Sequence, residues 1–294
     1  VLLITNDTAG GRDTAPPRRL AAALEVLRGV TDVEVASTGN LGELDSVLHR
    51  RGSRRVVVAG GDGTLHAVVA ALHRRHELSE TVLGLVPLGT GNDFARGLAI
   101  PLVAEEAARL VVTGQPTPVD LIIDCTGEIA VNGVHLGAGA DAGQRAQRWK
   151  ESLGRAGYVA GAAATAARPR LLRLRVEVDG QVLTDFDRPV LQVALGNGPS
   201  VGGGTELTPH AHPGDGQIDV MVSFAAGRVA RAGFLTKLLA GRHPQRHDVT
   251  YLRGSSVSVS GQPFRISADG EISGPETNRT WRLEKAACTM VLPG

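Results

Sequence analysis

The residues with the clearest chemical potential lie in Arg55–Leu72, "RVVVAGGDGTLHAVVAAL", where an apolar run breaks into three glycines and one aspartate. Gly60, Gly61 and Gly63 follow a predicted strand and precede a predicted helix. Lacking Cβ atoms, they let backbone approach a ligand closely. The helix expected to start near Thr64 offers unpaired N–H groups and the positive end of its dipole, both suited to phosphate. Asp62 repels phosphate but can hold Mg²⁺, directly or through water. Taken alone, such a turn also serves tight strand–helix packing, with the aspartate as a helix cap.

Two further segments repeat the design. "LGLVPLGTGNDFARGL" runs from strand to glycine turn, with Thr90, Asn92 and Asp93 ahead of a helical stretch. At the front, "ITNDTAGG" ends a strand in a turn holding Asn6, Thr8 and Gly10. In a parallel sheet, turns that follow strands project from one edge, where open α/β sheets bind ligands. The familiar phosphate motifs GxxxxGK[ST] and GxGxxG with its ribose-binding acid are absent, and the only lysines are Lys150, Lys237 and Lys285.

Acids recur in the second half. "FRISADGE" sets Asp269 and Glu271 at the end of a predicted strand, with Gly270 between them for the turn. A carboxylate there could align an acceptor hydroxyl and take its proton, although an Asp-Gly turn is also an ordinary β-turn. "PHAHPGDGQIDV" is a second acidic turn; His210 and His212 lack the partners a zinc site needs. His243 and His247 share helical spacing, but Pro244 argues against a helix, so a solvated loop is expected.

The elements that must position these residues change texture along the chain. Up to about Asp120, strand candidates "VLLIT", "VEVAST", "RRVVVAG" and "VLGLVPLG" alternate with helices at Pro17–Leu27, Leu41–His49 and around Leu65–Leu72, which predicts a helix-covered parallel sheet. From 121 on, short alternating runs such as "LRLRVEVDGQVLTDF", "PVLQVALGN", "QIDVMVSF", "SVSVSG", "WRLEK" and "CTMVL" predict antiparallel strands, interrupted by helices near 144–167 and 228–239. The fold class expected is therefore an N-terminal α/β nucleotide-binding domain, 1–120, and a C-terminal antiparallel β-sandwich domain, 121–294, with "GQPTPVD" at the boundary.

The chain has 294 residues, 42% of them apolar, and a net charge of +1, enough for two domains and without global attraction to nucleic acid. No apolar run approaches the roughly 18–20 residues needed to cross a bilayer, and no leader pattern opens the chain. A cytoplasmic protein is expected, able to sit peripherally at the inner membrane face. Cys125 and Cys288 are expected as buried small residues, unbridged. A homodimer stays open. The helix "GRVARAGFLTKLLAGR" carries Val229, Phe234, Leu235, Leu238 and Leu239 flanked by Arg228, Arg231, Lys237 and Arg242. It could rest transiently on anionic lipid; packing on the core with a solvated basic face is the favoured alternative.

"GGDGT", "GTGNDFAR" and the late "ISADGE", with "VNGVHLGAGADA" and "GNGPSVGGGTELTPHAHPGDGQIDVMV" between them, resemble the diacylglycerol kinase catalytic family, specifically the soluble bacterial lipid kinases related to sphingosine and ceramide kinases. The resemblance covers nearly the whole chain. It implies an α/β domain and a β-sandwich domain with ATP and lipid meeting between them, and an ATP- and Mg²⁺-dependent transfer to a lipid hydroxyl, diacylglycerol to phosphatidate first. Nucleotide contacts are implied at Asn6, Asp7, Thr8, Ala9 and Gly10, at Thr38, at Gly61, Asp62, Gly63, Thr64, Leu65, His66 and Ala67, and at Thr90. Asp62 and Asp93 are implied in the Mg²⁺–water network, and the general base in Asp269-Gly270-Glu271, with Glu271 preferred. A structural Mg²⁺ is implied on Asp215 and the carbonyls of His212 and Gln217. One departure is visible: the family's first turn reads Asn-Pro where this chain has Asn6-Asp7, which leaves the turn less rigid. Trp149 and Tyr158 are the lipid-side candidates. Kinases for other lipid alcohols, NAD kinases (which also carry "GGDGT") and a nucleotide-binding regulator without turnover stay as alternatives; the acid pair speaks against the regulator.

Overall fold

The computed structural model describes residues 1–6, 18–138, 140 and 170–294. Asp7, Thr8, Ala9, Gly10, the helix expected near 144–167, Trp149 and Tyr158 lie outside the described residues. The chain divides into two compact units, one of Val1–Leu121 with Lys285–Gly294 and one of Ile122–Glu284.

In the first unit, strands β1 (Leu2–Asn6), β2 (Glu34–Thr38), β3 (Val56–Gly60) and β4 (Val82–Pro87) alternate with helices α1 (Arg18–Arg28), α2 (Leu41–His49) and α3 (Asp62–Arg74), followed by α4 (Asp93–Gly97) and α5 (Ala104–Thr113). The strands pair in the order β2-β1-β3-β4, all parallel. Every residue of β3 is buried, as a strand covered on both faces requires. Right-handed crossovers in that order put α2 and α3 on one face and α1 on the other. The contacts agree: α2 packs with α3, and α1 with α5. Register aligns the strand ends, Asn6 opposite Thr38 and Gly60 opposite Pro87, so the turns that follow all four strands emerge from one edge.

The segment expected at the domain boundary, "GQPTPVD", leads into a ten-residue strand, β5 (Gln115–Asp124). The last ten residues, expected in the second domain, join the first unit: Thr289 and Met290 pair parallel with Val82 and Leu83, and the Asp120 carboxylate accepts from the Ala286 N–H at 2.7 Å. Cys288 is buried there, and burial pushes its thiol up to about 12. Cys125, expected buried, is exposed; both cysteines are free.

The second unit holds β6 (Ile129–Ala130), β7 (Gly133–Gly137), β8 (Leu174–Val178), β9 (Gln181–Asp185), β10 (Gln192–Gly196), β11 (Ser200–Val201), β12 (Thr205–Glu206), β13 (Ile218–Ser223), β14 (Val249–Gly254) and β15 (Ser256–Ala268). The last strand, β16 (Glu271–Leu292), begins in this unit and carries the chain back to the first. The runs "WRLEK" and "CTMVL", expected as separate strands, are parts of this one strand. Pairing is antiparallel through β14, β13, β10, β7 and β15. β15 changes partner at a bulge near Gly261, from β8 on one side to β7 on the other, which turns the corner between two sheets. Their inward residues, among them Leu136, Val176, Val193, Val220, Val259, Phe264 and Trp281, form the sandwich core.

Helix α6 (Arg228–Leu239) packs only part of its expected apolar stripe. Phe234 is buried, whereas Val229 and Leu239 are 87% and 74% exposed. His243, expected in a solvated loop, is fully buried in a short 3₁₀ turn. Its Nε2–H donates to the Leu207 carbonyl at 2.8 Å, its ring meets Phe234 edge-on, and burial lowers its pKa.

Candidate functional site

On the first unit the site begins where β3 gives way to α3. Gly61 is the N-cap of α3, and no side chain caps the helix. The helix starts at Asp62, two residues before the expected Thr64. Three glycine positions divide by what a side chain would meet. A Cβ on Gly60 would lie 2.6 Å from the Thr64 side chain, so Gly60 serves strand–helix packing. A Cβ on Gly89 would stand 2.5 Å from Gly61 Cα, so the turns after β3 and β4 touch backbone to backbone. Among the described residues, a Cβ on Gly63 would meet nothing within 4 Å.

The two turns are also bonded. The Asp62 carboxylate accepts from the N–H of Asp93 and from that of Phe94, both at 3.1 Å. It therefore caps α4 from across the sheet edge, and not its own helix. Asn92 holds a left-handed conformation, φ 52°, and its Nδ2 donates to the Gly89 carbonyl at 2.9 Å. Its Oδ1 is buried without a hydrogen-bond partner. Asp93 is 5% exposed, while Thr90 is exposed.

Asn6, Thr38, Thr64 and Ala67 line one cavity of about 220 Å³ with Gly39, Asn40, Leu41, Leu44 and Val68. The last five were missed by sequence reasoning. One signal was available: Asn40 and Glu43 form a capping box, with Asn40 Oδ1 accepting from the Glu43 N–H at 3.0 Å and Glu43 Oε2 from the Gly39 N–H at 2.7 Å. A wider depression of about 460 Å³ runs along α2 between Ser37 and Arg50 and contains none of the glycine-turn residues. His66 is half-buried on α3. Leu65 is 1% exposed in the core, so only its backbone could meet a ligand.

These residues fit a nucleotide triphosphate and its Mg²⁺. No side chain caps the first turn of α3, and Asn92 Oδ1, Asp62 and Asp93 are hard oxygen donors at the same edge.

On the second unit, Asp269 and Gly270 are the two central residues of the β15–β16 hairpin, with φ 49° and 94°, the geometry of a two-residue I′ turn. The two acids differ sharply in surroundings. Asp269 is the hub of a backbone clamp: Oδ2 accepts from the Val131 N–H at 2.6 Å, and Oδ1 from Asn132 and Gly133 at 2.9 and 3.0 Å. Glu271 is exposed, two residues along the same hairpin.

In the other acidic turn, Asp215 pairs with Arg253, and its Oδ1 accepts from the Gln217 N–H at 3.1 Å. The His212 carbonyl already accepts from Gly214 and Asp215 at 2.7 and 3.2 Å. A cation on His212, Asp215 and Gln217 would enter by displacing the Arg253 guanidinium. The same guanidinium donates to the fully buried Asp219 at 3.2 Å, and the Tyr251 hydroxyl donates to Asp219 at 2.7 Å. Burial holds the Asp219 carboxyl above its usual range despite these donors. Among the described residues no group of three or more His, Cys, Asp or Glu side chains could hold a metal.

Comparison with known proteins assigns this arrangement to a family. Residues 1–123 match the family model of the diacylglycerol kinase catalytic domain, and residues 132–292 match that of the YegS C-terminal NAD kinase beta sandwich-like domain. The chain belongs to the diacylglycerol kinase/YegS family of lipid kinases. One relative, from Xanthomonas euvesicatoria pv. vesicatoria (strain 85-10) and named a probable YegS-like lipid kinase, is 35% identical over 83% of this chain and 80% of its own. Another, from Mycobacterium tuberculosis (strain ATCC 25618 / H37Rv) and named a diacylglycerol kinase, is 28% identical over 94% of this chain and 89% of its own. A solved diacylglycerol kinase from Bacillus anthracis str. Sterne superposes with a TM-score of 0.70 over 99% of this chain and 96% of that one, at 23% identity, which speaks for the fold. As a lipid kinase the protein is a phosphotransferase, and its family implies ATP as donor and a lipid as acceptor. No helix among the described residues of the kinase is long and apolar enough to cross a membrane.

Proposed function

We propose that the kinase phosphorylates the hydroxyl of diacylglycerol to give phosphatidate. The name of the Mycobacterium tuberculosis relative supports this acceptor over other lipid alcohols. The observation that carries the nucleotide side is the fused pair of turns, with Gly61 against Gly89 and Asp62 bonded to Asp93 and Phe94. In this reading the amides of Gly61, Asp62 and Gly63 hold phosphate, the Thr64 N–H being bonded to the Gly61 carbonyl at 3.1 Å. Asn6 and the hydroxyl of Thr90 complete the cradle. Thr38, Asn40, Ala67 and the apolar Leu41, Leu44 and Val68 hold the nucleoside. Asp62, Asp93 and Asn92 Oδ1 orient the water shell of the Mg²⁺ ion. ATP supplies the phosphoryl group and the ADP leaving group, and Mg²⁺ neutralises the phosphate oxygens.

On the acceptor side, Glu271 takes the hydroxyl proton as the lipid oxygen closes on the γ-phosphorus. Asp269, fully engaged with three backbone N–H groups, positions the hairpin that presents Glu271. A second Mg²⁺ on Asp215 is a competitor of Arg253, so a thermal shift on adding Mg²⁺ should disappear in Asp215→Asn.

The test is incubation with labelled ATP and mixed micelles carrying diacylglycerol, monoacylglycerol, sphingosine or ceramide, followed by chromatography of the organic phase. Label in phosphatidate is expected, and only with Mg²⁺ present. Label confined to another lipid would replace the acceptor. ATP binding without any labelled lipid would sink the reading.

A further inference from the structure

We propose that α6 docks the kinase on anionic membrane surface, an inference that rests on the lipid-kinase reading and goes beyond it. From Val220 to His247 the chain carries no acidic residue and five basic ones, Arg228, Arg231, Lys237, Arg242 and Arg246. Asp248 engages Arg246 at 2.7 Å, and Glu206 lies near Gly241 at the helix end; Arg228, Arg231 and Lys237 on the helix have no acid partner among the described residues.

At 100° per residue the helix has two faces. Ala230, Phe234 and Leu238 turn inward onto the cluster of Leu191, Leu207, Met221 and Val249. Val229, Ala232, Thr236 and Leu239 turn outward, with Arg228 and Lys237 at the edges of that face, and all six are exposed. Val229 and Leu239 are the two most exposed large hydrophobic residues among those described, at 87% and 74%.

A solvated face has no need of a valine and a leucine at its centre. A membrane interface needs apolar residues to insert and long basic side chains at the rim to reach phosphate. A second copy fits poorly, because a two-fold contact would set the basic residues of one helix against those of the other with no acid between them. Charge complementarity therefore points to anionic lipid headgroups.

Co-sedimentation of the full chain with phosphatidylcholine vesicles, with and without 30% phosphatidylglycerol (a composition chosen on the order of a typical anionic leaflet), tests the assignment. Binding only to the anionic vesicles, weakened by salt, is expected. Each basic side chain near such a surface is worth about fivefold in partition, so Arg228→Glu with Lys237→Glu should reduce binding at least ~20-fold. Val229→Asp with Leu239→Asp should reduce it by about tenfold or more. Both variants should keep the parental melting temperature and full activity on a short-chain diacylglycerol dispersed below its micelle concentration. Parental binding by either variant, absence of wild-type binding, or a shift from dimer to monomer in the variants would overturn the proposal. Loss of activity on the dispersed substrate in the wild type would instead strike the lipid-kinase reading and leave vesicle binding as a separate result.

Discussion

Asp269 and Glu271 stand two residues apart in different surroundings, which separates the roles proposed for them. A carboxylate that accepts three backbone N–H bonds ties three successive residues of another segment to its own turn. The exposed Glu271 has no such commitment among the bonds described. Glu271→Gln should therefore lower kcat by about 10²-fold or more while leaving ATP affinity and melting temperature unchanged. Asp269→Ala should cost about 2–4 kcal/mol of stability, because three N–H groups lose a charged acceptor together. Chemical denaturation alongside single-turnover kinetics separates the two. An unchanged turnover in Glu271→Gln would remove it from the chemistry, and an unchanged stability in Asp269→Ala would dissolve the clamp.

The turns after β3 and β4 work as one element because two glycines make contact. Gly89→Ala forces a methyl to 2.5 Å from Gly61 Cα and should destabilise the protein by about 1–3 kcal/mol, an overpacking cost. Gly63→Ala meets open space inside helix α3. It should leave stability unchanged or raise it by about 0.5–1 kcal/mol, since alanine is the better helix former. ATP affinity should nevertheless fall, because the methyl enters the volume proposed for phosphate. Melting curves with and without nucleotide check both. A Gly63→Ala protein that binds ATP as the parent does would move the phosphates elsewhere.

Over the whole molecule, the chain starts the first unit, builds the second, and returns to finish the first. Residues 285–294 supply buried Cys288, Met290, Val291 and Leu292 and the parallel partner of β4. A chain ending at Glu284 would leave one edge of β4 bare and its core open. It should lose cooperative unfolding of the first unit, and nucleotide binding with it. Residues 1–121 joined through a flexible linker to 285–294 should fold, whereas 1–121 alone should aggregate. Circular dichroism melts of the two fragments distinguish these outcomes, and cooperative folding of 1–121 alone would contradict the argument.

Local pattern was enough for the elements whose signal is local. The 3.6-residue period of α2 and α3, the uniform burial of β3 and the Asp179-Gly180 hairpin all follow from side chains within one turn or strand. The glycine turns and the acid pair were legible for the same reason. Long-range partners were not. No spacing rule says that Asp62 bonds to Asp93 and Phe94, that Asp269 clamps Val131 to Gly133, or that His243 is buried against Leu207. Nor does hydrophobic period tell which flank of α6 is covered, since Phe234 and Leu239 read alike until neighbours are present. The sequence by itself determined where the glycine turns and the acid pair lie along the chain. Tertiary structure alone decided which of them are committed to other groups, because hydrogen-bond capacity and exposure depend on chain segments tens to more than a hundred residues away.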